Sequence, residues 1–512
     1  MAIVEPVDTA EGAPRRFELR CPIDLAPIGE LTCATAEEVR DAVMRARAAQ
    51  RDWAQRTFAE RAEPMWRLLD LFVQRREDIV AAVVRETGKA RAEALAMEVY
   101  APCDSISYYA KNAAKFLAPE KRRVHGLMGL AKKLRIVYRP LGVVGLITPW
   151  NGPVALAVNP TVQALMAGNA VVHKPSEVTP FSAELVRELF VAAGIPADLY
   201  QVVQGDGRTG AALTEAGVDK VSFTGSVATG RRVGEACGRM LIPCTLELGG
   251  KDAMIVCADA DLERAADGAV FGSCMNTGHY CCGTERIYAV EPIFEPLVER
   301  VVAKVAALRQ SDHGETDVGA VFWDRQLEII ESHVEDARAR GAKVLVGGRR
   351  NPNLGGLYYE PTVLVDVDPS MRIMREETFG PIVAIVKVAS EAEALRLAND
   401  SEYGLNGNVW TNDVDKGLRI AASMETGGVC INDPAITYGI PEAPFGGIKA
   451  SGVGQVNGKT GLRGYCHALP ISIDRRGKGP IQGGFPYTAR STALLDRIIR
   501  YYYGTRLCRW FA

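Results

Sequence analysis

The sequence predicts an α/β protein built on parallel sheets, and three observations carry that reading. Short apolar runs alternate with amphipathic stretches along most of the chain. The runs are continuous rather than alternating, as befits strands covered on both faces. At 512 residues, 47% of them hydrophobic, the chain is too long for one core and rich enough to fill two or three.

From the N-terminus, residues 36–54 and 60–87 carry Ala-, Leu- and Arg-rich patterns at helical spacing, so this third reads as mostly helical. Buried strands are expected at 141–147, 169–174, 199–203 and 220–223. Amphipathic helices are expected between them at 181–193, 209–216 and 227–240. Strand–helix alternation at this spacing argues for βαβ units, and such sheets place ligands beyond the carboxyl ends of their strands. A second series follows Gly250: a strand at 253–256, a helix from Leu262 to about Met275, a strand at 286–290 and a helix at 294–308. Later strands are expected at 362–365, 382–388, 408–410 and 428–431. Internal repeats and low-complexity segments are lacking.

Bulk properties exclude several classes. The net charge of −2 gives no reason to expect nucleic acid. No apolar run reaches the roughly 18 residues of a membrane span. Residues 1–20 are polar and mixed in charge, so a secretory signal is not expected. Twelve cysteines without regular spacing suit free thiols in a reducing compartment, hence a cytoplasmic location.

Charge is uneven. Residues 475–512 hold eight Lys/Arg and one Asp, a net +7, against −9 for the rest. Within this tail Leu494, Leu495, Ile498, Ile499, Tyr502 and Tyr503 fall on one helical face. Arg490, Arg497, Arg500, Arg506 and Arg509 surround it, and Trp510-Phe511 close the chain. A basic amphipathic helix with aromatics can lie in a membrane interface; it can equally pack on its own domain or on a neighbouring subunit.

The chemistry-bearing residues are Glu247, in Leu246-Glu247-Leu248-Gly249-Gly250-Lys251, and Cys281, in Asn276-Thr277-Gly278-His279-Tyr280-Cys281-Cys282-Gly283. A soft nucleophile and a carboxylate base can together make and hydrolyse a thioester. His279, Cys281 and Cys282 lack a second paired ligand set for structural zinc, so no metal is assigned. A Cys–His protease has no supporting local signature. Gly205-Asp206-Gly207-Arg208-Thr209-Gly210 follows a strand, but no acidic residue stands at the end of the next strand, so it reads as a glycine-rich helix start. Phe223-Thr224-Gly225-Ser226 is the better phosphate candidate: a strand ends, a glycine permits close approach, and a serine can cap the helix. Lys174-Pro175-Ser176-Glu177 also ends a strand, where a cation and a carboxylate can hydrogen-bond a ribose.

Together these motifs resemble the aldehyde dehydrogenase superfamily, roughly from Arg20 to Tyr465. The family's elements occur in order: Thr148-Pro149-Trp150-Asn151, Lys174-Pro175-Ser176-Glu177, Phe223-Thr224-Gly225-Ser226, Glu247-Leu248-Gly249-Gly250-Lys251, and Gly278 with Cys281 and Arg286. Glu376-Glu377-Thr378-Phe379-Gly380-Pro381 and Pro444-Phe445-Gly446-Gly447 complete them. The family's usual Gln after the motif glycine is His279 here, a change that bears on packing behind the nucleophile.

The resemblance implies a Rossmann-type cofactor domain (16–121 and 141–246), an α/β catalytic domain (247–450), a small bridging or oligomerisation β element (122–140 and 462–475) and the basic tail (476–512). It implies Cys281 as nucleophile, Asn151 with the Cys281 N–H as oxyanion donors, and Glu247 as the base that activates water. It assigns the cofactor to Thr148, Pro149, Trp150, Lys174, Ser176, Glu177, Gly225, Ser226, Leu248, Glu377 and Phe379, and a substrate tunnel to Gly152, Leu156, Asn159 and Phe445. The small Gly152 and polar Asn159 suggest a wider or more polar tunnel, and no arginine pair marks a semialdehyde carboxylate. Glu177 favours NAD over NADP, though NADP is possible; Glu247 favours a free acid over a coenzyme A ester. A homodimer or homotetramer is implied. The rivals are an NADP-preferring or CoA-acylating enzyme and a catalytically silent structural relative.

Overall fold

The computed structural model describes residues 2–7, 13–434, 436–479, 481, 484–505 and 507–509. Arg506, Trp510 and Phe511 of the tail lie outside the described residues. The chain divides into two compact units, Met1–Ala113 with Pro140–Tyr465, and Ala114–Arg139 with Cys466–Ala512.

In the larger unit, strand–helix alternation produces two predominantly parallel sheets. The first runs in the order Gly452–Val453, Cys244–Glu247, Lys220–Thr224, Val143–Ile147, Ala170–Lys174, Tyr200–Val202. Its pairings are parallel except for the Gly452–Val453 edge. The second has seven strands, ordered Lys343–Val346, Thr362–Val365, Ile382–Val388, Thr284–Val290, Asp252–Val256, Gly407–Trp410, Cys430–Ile431, with the first antiparallel. Both sheets lie within a single compact unit, which also holds an antiparallel sheet of Val4–Val7, Arg16–Arg20 and Pro27–Thr32. Leu248–Lys251 carries the chain from the first sheet to the second.

Register is what positions the site. Ile147 pairs with Lys174 on one side and Phe223 on the other, and Thr224 pairs with Glu247. Neighbouring strands lie about 4.8 Å apart. The carboxyl ends of four strands, and the loops that follow them, thus share one edge of the sheet.

Local signals explain the helices. Thr35 caps Ala36–Gln55 in a reciprocal box with Glu38, and Thr57 does the same for Phe58–Gln74 with Glu60. The helical pattern at 60–87 is in fact two helices, broken at Arg75 (φ −97°, ψ 17°), where the chain turns into Arg76–Thr87. Asp206 caps Gly207–Glu215 and Ser226 caps Val227–Met240. The helix Ala155–Met166 is buried at every position, so it has no apolar stripe to read.

The smaller unit holds a three-stranded sheet ordered Cys466–Asp474, Lys132–Pro140, Glu120–Arg122. Its tail forms the helix Ala489–Ile498 and a π turn, Ile499–Tyr503. Leu494, Leu495, Ile499 and Tyr503 are exposed, while Tyr502 is buried. Among the described residues no helix is long and apolar enough to cross a membrane, and no group of His, Cys, Asp or Glu could hold a metal ion.

Candidate active site

Cys281 lies in the loop between the helix Leu262–Cys274 and the strand Thr284–Val290. Asn276 and Thr277 both adopt left-handed backbone (φ 57° and 56°), which folds the loop back on itself. The loop is held by side chains from afar. The Asn276 amide donates to the carbonyls of Asn151 (3.0 Å) and His279 (2.7 Å), and the Asn276 N–H donates to Glu93 (2.6 Å). The buried Cys282 thiol donates to Cys281, holding the Cys281 thiol below its ordinary pKa against the opposing effect of burial.

Asn151 follows the strand Val143–Ile147 and is buried. Its side-chain amide donates to the His279 carbonyl at 3.0 Å, and its own carbonyl accepts from Lys89 Nζ at 3.1 Å. Lys89 and Glu98 form an ion pair with both side chains fully buried. Glu98 also accepts from the N–H groups of Val154 and Ala155 (3.0 and 2.9 Å), closing the N-terminus of Ala155–Met166.

Glu247 ends the strand Cys244–Glu247. It is 6% exposed, and neither carboxylate oxygen has a hydrogen-bond partner. Burial, and next the charge of Cys281, raise its pKa well above the carboxylate range. The adjoining loop touches Cys281: a Cβ on Gly250 would meet the Cys281 carbonyl at 2.7 Å. Asn151 and Cys281 line one cavity of about 400 Å3, along with Gly152 and Leu156. Glu247 does not line it. Asn159 and Phe445 do not line it either. The Asn159 amide is consumed by Ser105 (2.7 Å), Gln163 (3.0 Å) and Asn457 (2.8 Å), and Phe445 packs edge-on against Tyr438 at 5.1 Å. Asn159 therefore adds no polarity to this cavity.

The remaining predicted residues gather at the shared sheet edge. Lys174 is buried and pairs with Glu177 at 3.6 Å; burial lowers the lysine pKa and Glu177 opposes it. Ser176 is buried and accepts from the Val178 N–H at 3.2 Å. The Thr148 hydroxyl is held by His173 at 2.7 Å. Ser226 accepts from the Thr229 N–H at 3.3 Å, leaving the first N–H groups of a 14-residue helix facing the sheet edge. The Gly225 N–H donates to the Glu247 carbonyl at 3.0 Å. Leu248 packs on Gly230 of that helix. Glu377 accepts from the Gly250 N–H at 3.0 Å; burial, then Glu285, push its pKa to about 8. Phe379 (φ 50°) meets the edge of Trp150 at 5.5 Å, next to Pro149 in the same motif loop. These residues fit a dinucleotide: a helix N-terminus and a Lys–Glu pair stand together at the carboxyl ends of parallel strands.

Some residues of the site escaped sequence reasoning. Glu285 accepts from the N–H groups of Thr378 and Phe379 (both 2.9 Å) and pairs with Lys251, fixing the loop of Glu377. His279, by contrast, is marked in the sequence as the departure from the family's Gln: it is buried against Trp150 (5.0 Å) and Phe322 (4.5 Å), with both ring nitrogens unpartnered; burial, then Lys89, lower its pKa to about 3, so the ring is neutral. Nothing local to Lys89, Glu93, Glu98 or Glu285 marks them, because their partners lie far along the chain.

The geometry places a thiol and an amide donor on one cavity, beside strand ends that fit a dinucleotide. Residues 9–469 match the aldehyde dehydrogenase family. A putative succinate-semialdehyde dehydrogenase [NADP(+)] of Mycolicibacterium smegmatis is 42% identical over 445 residues, covering 86% of this chain and 85% of that protein. A 4,4'-diapolycopene aldehyde oxidase of Methylomonas sp is 36% identical over 485 residues, covering 94% and 90%. The solved structure of a Mycobacterium tuberculosis aldehyde dehydrogenase complexed with NAD+ superposes with a TM-score of 0.85 at 35% identity, covering 94% of this chain and 97% of that one. The chain belongs to the aldehyde dehydrogenase family, and it is an oxidoreductase that acts on aldehydes with a nicotinamide cofactor.

Proposed function

We propose that this enzyme oxidises an aldehyde to its free carboxylic acid with NAD, through Cys281, Asn151 and Glu247. The observation that carries this reading is the placement of a thiol and an amide donor on one cavity, beside a buried carboxylate without a partner. The Cys281 thiolate adds to the aldehyde carbon, forming a C–S bond and an oxyanion. The second N–H of the Asn151 amide and the Cys281 backbone N–H stabilise that oxygen. As the carbonyl re-forms, a hydride leaves the carbon and a thioester remains on Cys281. The bound nicotinamide supplies the hydride acceptor. Glu247 takes a proton from water, whose oxygen attacks the thioester; the C–S bond breaks and the thiolate returns. A carboxylate with a raised pKa is matched to that task near neutral pH.

Supporting NAD is the Lys174–Glu177 pair, since a carboxylate at the ribose repels a 2′-phosphate. The relatives named for NADP weigh the other way, and NADP remains the rival cofactor. We assign the pyrophosphate to Gly225, Ser226 and the following helix, with Leu248 behind it. The nicotinamide end falls to Thr148, Pro149, Trp150, Glu377 and Phe379, and the ribose end to Lys174, Ser176 and Glu177. In this reading the first sheet, of 141–246, holds the cofactor and 247–450 supplies the nucleophile.

We further propose a cytoplasmic homodimer or homotetramer. The twelve free cysteines support a reducing compartment. The nine-residue edge strand Cys466–Asp474 is largely exposed, as a strand that pairs across subunits would be. The basic tail, with its exposed Leu494, Leu495 and Ile499, supports peripheral contact with an anionic membrane; sedimentation with phosphatidylserine vesicles tests it.

The deciding experiment is Cys281→Ala. NADH formation with a simple aldehyde is expected to vanish while NAD still quenches tryptophan fluorescence. Retained turnover would remove Cys281 as nucleophile.

A further inference from the structure

The cavity that Cys281 and Asn151 share has a one-sided lining. Its walls include Met97, Tyr100, Phe271, Met275 and Tyr438. Among the described lining residues there is no lysine, arginine or histidine, and the one carboxylate is Asp433. Tyr100 and Phe271 are 69% and 56% exposed, so the cavity opens to solvent between aromatic rings rather than between charges. A π turn, Ala96–Tyr100, interrupts two α-helical stretches here and brings Ala96, Met97 and Tyr100 onto the wall.

Such a lining sorts aldehydes by charge and length. A methylene moved from water to these walls gains transfer free energy, and nothing polar must be stripped to admit it. A carboxylate at the far end of the substrate would lose its water and find no cation among the described lining residues in exchange.

We propose that this cavity selects extended, uncharged apolar aldehydes and rejects aldehydes bearing a terminal carboxylate, with Met97, Tyr100, Phe271, Met275 and Tyr438 as the selecting wall. The inference rests on the reading of Cys281 and Asn151 as the reacting pair, and it parts from the substrate for which the mycobacterial relative is named.

The test uses the full chain with saturating cofactor and follows NAD(P)H. The kcat/KM for unbranched aldehydes from propanal to octanal is expected to rise about fourfold per methylene. Succinate semialdehyde is compared with its methyl ester, which differs by charge and one methyl group. The ester is expected to win by about 100-fold or more. A flat series, or succinate semialdehyde matching its ester, would overturn the inference while leaving the catalytic reading intact. Absence of turnover with every aldehyde, together with no acylation of Cys281, would overturn both.

Discussion

The side-chain amide of Asn151 donates to the backbone carbonyl of His279 at 3.0 Å, two residues before the nucleophile. One N–H of that amide thus fixes the loop and the other is left for the substrate oxygen. Asn151→Ala removes both functions. We expect kcat to fall by about 10²–10³-fold with little change in cofactor affinity, as for the loss of one oxyanion donor. Steady-state kinetics beside cofactor titration measures this; a change confined to KM would contradict the assignment.

Glu247 is buried without a partner, and its pKa is raised. A raised pKa keeps the group protonated, and idle as a base, at acidic pH; deacylation gains as pH climbs through the shifted value. The rising limb of kcat against pH should therefore lie above the ordinary glutamate value of about 4.3. Glu247→Gln should abolish that limb and stall after about one NADH per site, with an acyl group on Cys281 visible by mass spectrometry.

Cys282 holds the Cys281 thiol low by donating its S–H. In Cys282→Ala the donor is gone and burial is unopposed by it. The pH midpoint for iodoacetamide labelling of Cys281 should move upward. An unmoved midpoint would show that the pair is structural only.

Glu177 stands 3.6 Å from Lys174 at the sheet edge. Glu177→Ala removes the charge that opposes a 2′-phosphate and frees the lysine to attract one. The ratio of kcat/KM for NAD to that for NADP should drop by about tenfold, equivalent to about 1.4 kcal/mol. If the unaltered enzyme already prefers NADP, the NAD assignment falls.

Lys89 and Glu98 are paired in full burial, and Glu98 also closes the helix Ala155–Met166. Lys89→Ala would strand the carboxylate. Denaturant unfolding should show a loss of about 3–5 kcal/mol. The double change Lys89→Met with Glu98→Gln should recover part of it, because no lone charge is then buried.

Legibility from sequence followed the range of the interactions. The strand Thr362–Val365 and the helix Val227–Met240 could be read from their own residues, since apolar runs, caps and periodicity are local. The strand Cys244–Glu247 went unread although it carries the base, because Cys-Thr-Leu-Glu has no apolar run. Ala155–Met166 went unread because burial on all sides erases periodicity. Asn159 was expected in the substrate tunnel; Ser105, Gln163 and Asn457 claim its amide instead, and no sequence pattern ties those positions together.

The sequence by itself determined the inventory: a thiol, an amide, a carboxylate and a Lys–Glu pair, in family order, at or near the ends of strands or the starts of helices. Only the tertiary structure decided which strand ends stand side by side, since register sets Glu247 beside Thr224 and Ile147 beside Lys174. It also decided how Glu247 titrates and which walls meet the substrate. The walls come from side chains distant in sequence, such as Met97, Phe271 and Tyr438, and the burial that raises the Glu247 pKa is a property of the packed molecule rather than of any segment.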